Sequence, residues 1–317
     1  MRREENTIYF ENSEVKKAIP VNDINAIFVF GELDLNTKLL NFLTQNKISV
    51  HFFNYYGFYA GSYYPREYLS SGFLLTKQVE HYLDKGKRLV IARELVKTAG
   101  QNILRNLQYY RKQERDVLEE IAKIEGLLDG LDRAASVQEA MGFEGMIRDT
   151  YYGTFNEILR EGFEFEKRVK RPPDNMVNCL ISFGNSLLYT STLTEIYHTQ
   201  LTPTISYLHE PGERRFSLSL DLSEVFKPVI VDRIIFNLVN NRIIKPEHFL
   251  KELNYCYLND QGRKAFVKEY DEKLGVTIMH EGLKRNVSYQ RLIRLECYKL
   301  VKHLLGEEEY KGFRAGW

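Results

Sequence analysis

Cysteine is scarce in this chain. Its 317 residues include only Cys179, Cys256 and Cys297, which are far apart, odd in number and without a C-x-x-C spacing. That usage excludes a disulfide framework and a zinc ribbon and implies a reducing, cytoplasmic setting. No apolar run approaches the roughly 20 residues needed to span a bilayer. The opening residues 1–6 are charged, so neither a membrane span nor a signal peptide is expected. A dominant charge is lacking too: Lys+Arg 44 against Asp+Glu 43 leaves a net +1, so any nucleic-acid surface has to be a local patch. Internal repeats and low-complexity tracts are absent. What is present is ordinary globular material, 44% hydrophobic and 27% charged, in a chain long enough for two domains. Tyrosine is abundant, at 21 residues, but composition alone does not choose between core, interface and stacking roles for it.

The hydrophobic period changes once along the chain. Over residues 7–64 it is short: TIYF, KKAIPV, AIFVF, SVHFF and FYAGSYY are β-branched or aromatic runs separated by Asn, Asp and Gly, with one helix at 36–45. Asn-Tyr-Tyr-Gly at 54–57 reads as a tight hairpin connection. After Pro65 the segments are long and amphipathic, as at 73–83, 88–110 and 114–131. The expected class is α+β: a small antiparallel β domain over residues 1–68, then a larger all-α domain over 69–317. The basic run 166–171 followed by Pro172-Pro173-Asp174 reads as a loop between helical layers.

Chemistry concentrates in residues 209–233, HEPGERRFSLSLDLSEVFKPVIVDR. Asp221 and Glu224 lie on one face of a helix start, and the Pro-Gly connection after His209 lets that imidazole fold back toward them. An imidazole with hard carboxylates suits a divalent metal. The same Asp-x-x-Glu spacing is also a capping box, in which the two side chains only close the helix N-terminus. A second helix, expected over 143–159, puts Glu144, Arg148, Tyr151 and Phe155 on one face. Glu144 therefore sits on an apolar stripe, where a carboxylate needs a partner or a metal, and an i, i+4 pair with Arg148 would serve equally. A zinc hydrolase would want more His or Cys than these segments contain. His198, His280 and His303 show no ligand spacing.

Five stretches resemble one family in the expected order: VFGELDLNTKLLNFL at 29–43, HFFNYYGFYAGSYYPRE at 51–67, GFEGMIRDTYY at 142–152, PPDNMVNCLISFGNSLLYT at 172–190 and YLHEPGERRFSLSLDLSEVFKPVIVDRIIF at 207–236. The family is that of the CRISPR-associated spacer integrases, Cas-one. The resemblance implies an N-terminal β domain that dimerises, a helical catalytic domain, a homodimer, and assembly with a small partner, Cas-two. It carries the family's metal-binding positions onto Glu144, His209 and Glu224, holding Mg²⁺ or Mn²⁺, with Asp221 as the neighbouring acidic catalytic position. Many relatives have Asp where this chain has Glu224, which lengthens the reach by one methylene. Relatives also usually carry an extra strand ahead of residues 2–7, so the β domain is expected to be an edge strand short.

The implied reaction is metal-dependent integration, in which a 3′-hydroxyl on a double-stranded prespacer attacks a phosphodiester at the edge of a CRISPR repeat. The alternative is a non-catalytic dimeric DNA scaffold whose acidic residues cap helices. DNA needs a basic path, and three segments offer one: Lys167, Arg168, Lys170 and Arg171; Arg214 and Arg215; and Arg291 and Arg294 on a helix starting near Ser288.

Overall fold

The computed structural model describes residues 1–11, 16–170, 172–212, 216–252, 255–280 and 282–316. The chain divides into two compact units, Met1–Leu69 and Ser70–Trp317.

In the first unit, β1 (Arg2–Glu4), β2 (Thr7–Glu11) and β3 (Lys16–Pro20) form an antiparallel sheet in the order β1-β2-β3, with Ile8 paired to both Arg3 and Ile19. β1 is a strand that the sequence pattern did not single out. A second sheet joins β4 (Ala26–Val29), β5 (Ser49–Phe53) and β6 (Tyr59–Tyr63) in the order β4-β5-β6. β5 and β6 form the expected hairpin. Its turn is closed by the Asn54 side chain, which accepts from the Tyr56 and Phe58 N–H groups at 3.1 and 2.9 Å, and Gly57 supplies the positive φ of 82°.

The pairing of β4 with β5 is parallel, Ile27 opposite Val50. Parallel neighbours need a crossover, and α1 (Thr37–Gln45) supplies it, started by Asn36 Oδ1 accepting from Leu39 N at 2.9 Å. Ile8, Val21, Ile27, Val29, Leu39, Phe42, Leu43, Ile48 and Val50 make the core between these elements.

The second unit is mainly helical: α2 (Gly72–Leu83), α3 (Lys85–Arg111), α4 (Leu118–Leu131), α5 (Val137–Gly153), α6 (Phe155–Ile158), α7 (Met176–Tyr197), α8 (Ser217–Phe226), α9 (Arg233–Asn240), α10 (Asp260–Gly275) and α11 (Tyr289–Leu304). Two short antiparallel hairpins interrupt it, β7 (Phe249–Glu252) with β8 (Tyr255–Leu258) and β9 (Thr277–His280) with β10 (Arg285–Ser288). The long α3 packs on α4, α5 and α8, and α8 packs in turn on α7. No helix among the described residues is long and apolar enough to cross a membrane, and all three cysteines are buried and free.

The helical unit is irregular just after α8. Between α8 and α9, residues Pro228–Asp232 form a π turn. Pro228 has no N–H and its ring crowds the preceding turn, so the helix widens there, with Asp232 N donating to Lys227 O at 3.0 Å. Two asparagines one turn apart on α3 satisfy carbonyls along this stretch: Asn102 Nδ2 donates to Val225 O at 2.9 Å, and Asn106 Nδ2 to Pro228 O at 2.8 Å. Gly184 on α7 makes room, since a Cβ there would meet Val231 Cγ1 at 2.6 Å.

His51 is fully buried on β5, its Nδ1 2.7 Å from Ser62 Oγ, and burial lowers its pKa from 6.5 to about 4. Unfolded chains take up this proton below 6.5 and the folded one does not until about 4, so stability falls as pH drops through that interval. Urea titrations at pH 7 and pH 4.5 should show a loss of roughly 2 kcal/mol attributable to this group. His51→Asn should flatten that part of the pH dependence.

Candidate active site

Three segments of the helical unit meet around α8. α5 starts at Ser136, whose Oγ accepts from Glu139 N at 3.2 Å while Glu139 accepts from Ala135 N at 2.8 Å, a reciprocal closure of the helix end. That start sets the phase of α5, so that Glu144 and Arg148, four residues apart, share the face turned toward α8. Arg148 Nε donates to Glu144 Oε1 at 3.3 Å and its Nη2 donates to Glu224 Oε2 at 2.6 Å. The i, i+4 pair foreseen from the sequence exists, and it is one arm of a bridge between two helices. Lys227 covers the other oxygen of Glu224, Oε1. Burial pushes the Glu224 carboxyl up, but Lys227 and Arg148, with His209 beyond them, outweigh it and hold the group down to about 2.

Asp221 is fully buried and accepts four hydrogen bonds. Oδ2 takes the backbone N–H groups of Tyr207 and Leu208 at 2.6 and 2.9 Å; Oδ1 takes His209 N at 2.9 Å and lies 2.8 Å from His209 Nδ1. The turn bearing His209 is closed further by Ser206 Oγ donating to His209 O at 2.7 Å, and by Arg88 Nε donating to Tyr207 O at 2.8 Å. Burial lowers the His209 pKa, yet the bond to Asp221 and its charge more than compensate, so the net shift is upward. With Nδ1 committed, Nε2 is the nitrogen left for chemistry.

The capping-box reading of Asp221 and Glu224 does not survive. α8 begins at Ser217 with Phe216 as its N-cap and no side-chain cap, so both acids lie within the helix rather than at its start. After α8 the π turn changes the helical phase, and Pro228, Val231 and Ile235 are all buried.

The basic residues fare unevenly. Lys167 and Lys170 are exposed on the loop before α7. Arg168 is instead a strut: its Nη1 donates to Val169 O at 2.6 Å and Asn178 Oδ1 at 2.9 Å, and its Nη2 to Ser182 Oγ at 3.0 Å. Arg294 is bound to the buried Glu195. Each of these guanidiniums is thus already engaged by acceptors of the fold. Arg291 is half-buried at the start of α11. Arg171, Arg214 and Arg215 lie outside the described residues.

Sequence reasoning missed two members of the centre, Lys227 and Asp232. Asp232 is 2% exposed on the π turn, and burial raises its carboxyl to about 6 in spite of Arg148 nearby. The signal for it was one acid inside the apolar run PVIVDRIIF. Among the described residues no three His, Cys, Asp or Glu side chains are posed as around a metal ion, and Arg148 and Lys227 hold the Glu224 oxygens.

A chain of the same fold occurs in a casposase bound to an integration product, at TM-score 0.85 and 21% identity, covering 100% of this chain and 90% of that one. Closer likeness is at hand. The sequence profile described as CRISPR associated protein Cas1 matches residues 1–272. A CRISPR-associated endonuclease Cas1 of Thermodesulfovibrio yellowstonii is 54% identical, over 100% of this chain and 97% of its own length. One of Moorella thermoacetica is 52% identical over 100% of this chain and 97% of its own. The structure of a Cas1 protein from Thermotoga maritima superposes at TM-score 0.87 with 44% identity, covering 99% of this chain and 96% of that one. The chain belongs to the Cas1 family.

Asp221→Asn places an NH₂ where two backbone donors point, and should lower stability by roughly 2–3 kcal/mol in urea titration. Arg294→Ala, which strips the charge partner from Glu195, should lower it by about 3 kcal/mol. Lys167→Ala should stay within about 0.5 kcal/mol of the parent.

Proposed function

We propose that this protein is a metal-dependent DNA endonuclease and integrase that inserts new spacers into a CRISPR array. The observation that carries the reading is the pairing of Asp221 with His209 Nδ1 beside the buried Glu224, because a carboxylate that fixes one imidazole nitrogen presents the other as a ligand of set direction. The endonuclease designation of the Thermodesulfovibrio and Moorella relatives, at half identity or better over the whole chain, supports the reaction class.

By donor type the set suits a hard divalent ion. Glu144, His209 through Nε2, and Glu224 are two carboxylates and one imidazole, a set suited to Mg²⁺ or Mn²⁺ rather than to a thiophilic metal. Charge agrees. Four carboxylates, Glu144, Asp221, Glu224 and Asp232, face two side-chain cations, Arg148 and Lys227, leaving two negative charges when His209 is neutral. Bound there, the ion would polarise a phosphoryl oxygen and stabilise the charge that builds up on it.

The chain's own residues do the rest. Asp221 holds His209 in one tautomer and orientation, and its three backbone bonds keep the 207–209 turn on α8. Arg148 and Lys227 keep Glu224 ionised. The exposed lysines Lys167 and Lys170, with Arg291, offer phosphate contacts, and Arg214 and Arg215 adjoin His209 in sequence. Substrate strand transfer is a transesterification: a P–O bond to the attacking 3′-hydroxyl oxygen forms as the repeat's own P–O bond breaks, and the displaced oxygen takes the proton. A homodimer assembled with Cas-two is the working form in this reading. A chain of this fold occurs in a Cas6–RT–Cas1–Cas2 complex, at TM-score 0.85 and 17% identity.

The test is integration of a short duplex into supercoiled DNA carrying a CRISPR repeat, with Cas-two and Mn²⁺. His209→Ala and Glu224→Ala should each lower the rate by at least about 100-fold while the fold persists, consistent with loss of a group that acts in the transition state. Full activity in either variant rejects the assignment. A wild type that binds DNA without integrating it, and that Mn²⁺ does not stabilise against heat, favours the scaffold reading.

A further inference from the structure

The chain leaves α11 at a sharp reversal. Gly306, at a φ of 75°, donates its N–H to His303 O at 2.9 Å, and Glu307 N donates to Lys302 O at 2.9 Å, the paired closure that turns a chain off a helix end. Residues 307–316 then run without regular structure, and side chains of the fold hold them as a groove holds a peptide. Glu94 Oε1 accepts from Gly312 N at 2.9 Å, Glu296 Oε1 accepts from Tyr310 Oη and Phe313 N at 2.7 and 3.1 Å, and Asn102 spans Phe313 O and Ala315 N. The fit on α3 is close, since a Cβ on Gly312 would collide with the Thr98 side chain. Further along, Phe313 stacks on Phe226 of α8, the helix of Asp221 and Glu224.

A histidine stands at the root of this strap. Tyr310 N donates to His303 Nδ1 at 3.1 Å, and because a backbone N–H can only donate, Nδ1 is bare and the proton of the neutral ring is on Nε2. The neighbouring imidazole is set the other way. His81 of α2 has its ring centroid 5.6 Å from that of His303, and its Nδ1 lies 2.9 Å from Lys77 O; a carbonyl can only accept, so the His81 proton is on Nδ1. The two rings therefore tolerate an added proton unequally. On His303 it sets a donor against the Tyr310 N–H and a positive ring beside a second histidine, whereas His81 keeps its bond to Lys77 O in either state. The charges that bear on His303 are His81 and, from the strap, Glu309; burial and His81 outweigh Glu309, and the His303 pKa lies below 6.5. Lys302, next to it on α11, is paired with Glu308.

We propose that His303 is a proton-operated latch on the C-terminal strap: neutral, it holds the root of residues 307–316 and through them braces α8; protonated, it lets go of Tyr310 N and the strap loosens. The folded ring takes its proton less readily than an unfolded one, so the latch is fully closed above 6.5, and its contribution is lost as pH falls through 6.5 and then through the lower folded value. Acidification thereby reaches α8 from outside the candidate site, through Phe313 and Phe226, without a proton going to either of the acids that α8 carries.

The test is amide hydrogen exchange on the full chain at about pH 7.5 and about pH 5.5, with rates corrected for the intrinsic effect of pH. Protection of the Tyr310, Gly312, Phe313 and Ala315 amides should fall several-fold at the lower pH, with a ceiling of about tenfold one unit below the ordinary histidine value. His303→Asn offers an uncharged oxygen near the place of Nδ1, and in that variant the protection should not change between the two pH values. Equal strap protection in wild type at both values overturns the latch. So does a loss in His303→Asn as large as in wild type, or a fall of the same size across residues 70–305, which is general loosening of the helical unit. Should His303→Asn not fold, nitrogen-resolved NMR of wild type decides: a Tyr310 amide that shifts in step with protonation of His303 Nδ1 supports the latch, and one that stays still while His303 titrates rules it out.

Discussion

The carboxylate of Asp221 organises the candidate site. It lies inside a helix and accepts from three consecutive backbone N–H groups and one imidazole of a different segment. A charge buried to that depth is tolerable only with its lone pairs filled, and the donors that fill them are those of the turn carrying His209. Helix and turn are therefore mutually dependent: the turn supplies what Asp221 needs, and Asp221 gives residues 207–209 a conformation they would not hold by themselves. The position of the imidazole relative to Glu224 follows, since both acids project from the same helix one turn apart.

Around that anchor the centre is crowded with charge at a depth where charge is unfavourable. Glu224 is 4% exposed, Arg148 7% and Asp232 2%. Replacing such a set with apolar side chains of similar volume is commonly neutral or stabilising, so its presence speaks for function rather than for stability. The surroundings are correspondingly stiff. Asn102 and Asn106 hold the carbonyls around Pro228, Gly184 lets the π turn seat against α7, and Arg88 and Ser206 clamp the turn that bears His209. A buried electrostatic centre built on unyielding elements is pre-organised, with its groups already aimed before any ligand arrives.

Much of this was legible in the sequence, and what was not has identifiable causes. The change from short to long hydrophobic period placed the β-rich and helical parts, and the Asn54–Gly57 turn was read from residue types that favour it. The parallel pairing of β4 with β5 was hidden because period alone cannot say which strand a strand will join, and α1 as a crossover is visible only with both neighbours in view. The family resemblance singled out Asp221 and Glu224 as candidate functional carboxylates. Their local context was misread, since helix α8 starts at Ser217 through packing, with no capping side chain to announce it. Arg168 and Arg294 looked like solvated cations because a sequence does not reveal that Asn178 and Glu195 wait behind them. Asp232 was overlooked for a related reason: a single acid among Val, Ile and Phe becomes meaningful only when Arg148, from a helix more than eighty residues earlier, is seen beside it.

The helix that carries both acids is also tied to a part of the chain made long after it. Phe313 stacks on Phe226 with ring centroids 5.7 Å apart, and Asn102 joins both Phe313 O and Ala315 N at 2.9 Å across more than two hundred residues. During synthesis, α3 and α8 emerge with this brace still missing. Long-range closure of that kind comes late in folding, so a nascent chain halted before residue 313 holds every acidic group of the centre and yet lacks the clasp on its scaffold. The stiffness of the helix that bears Asp221 and Glu224 therefore depends on the C-terminal segment of the chain.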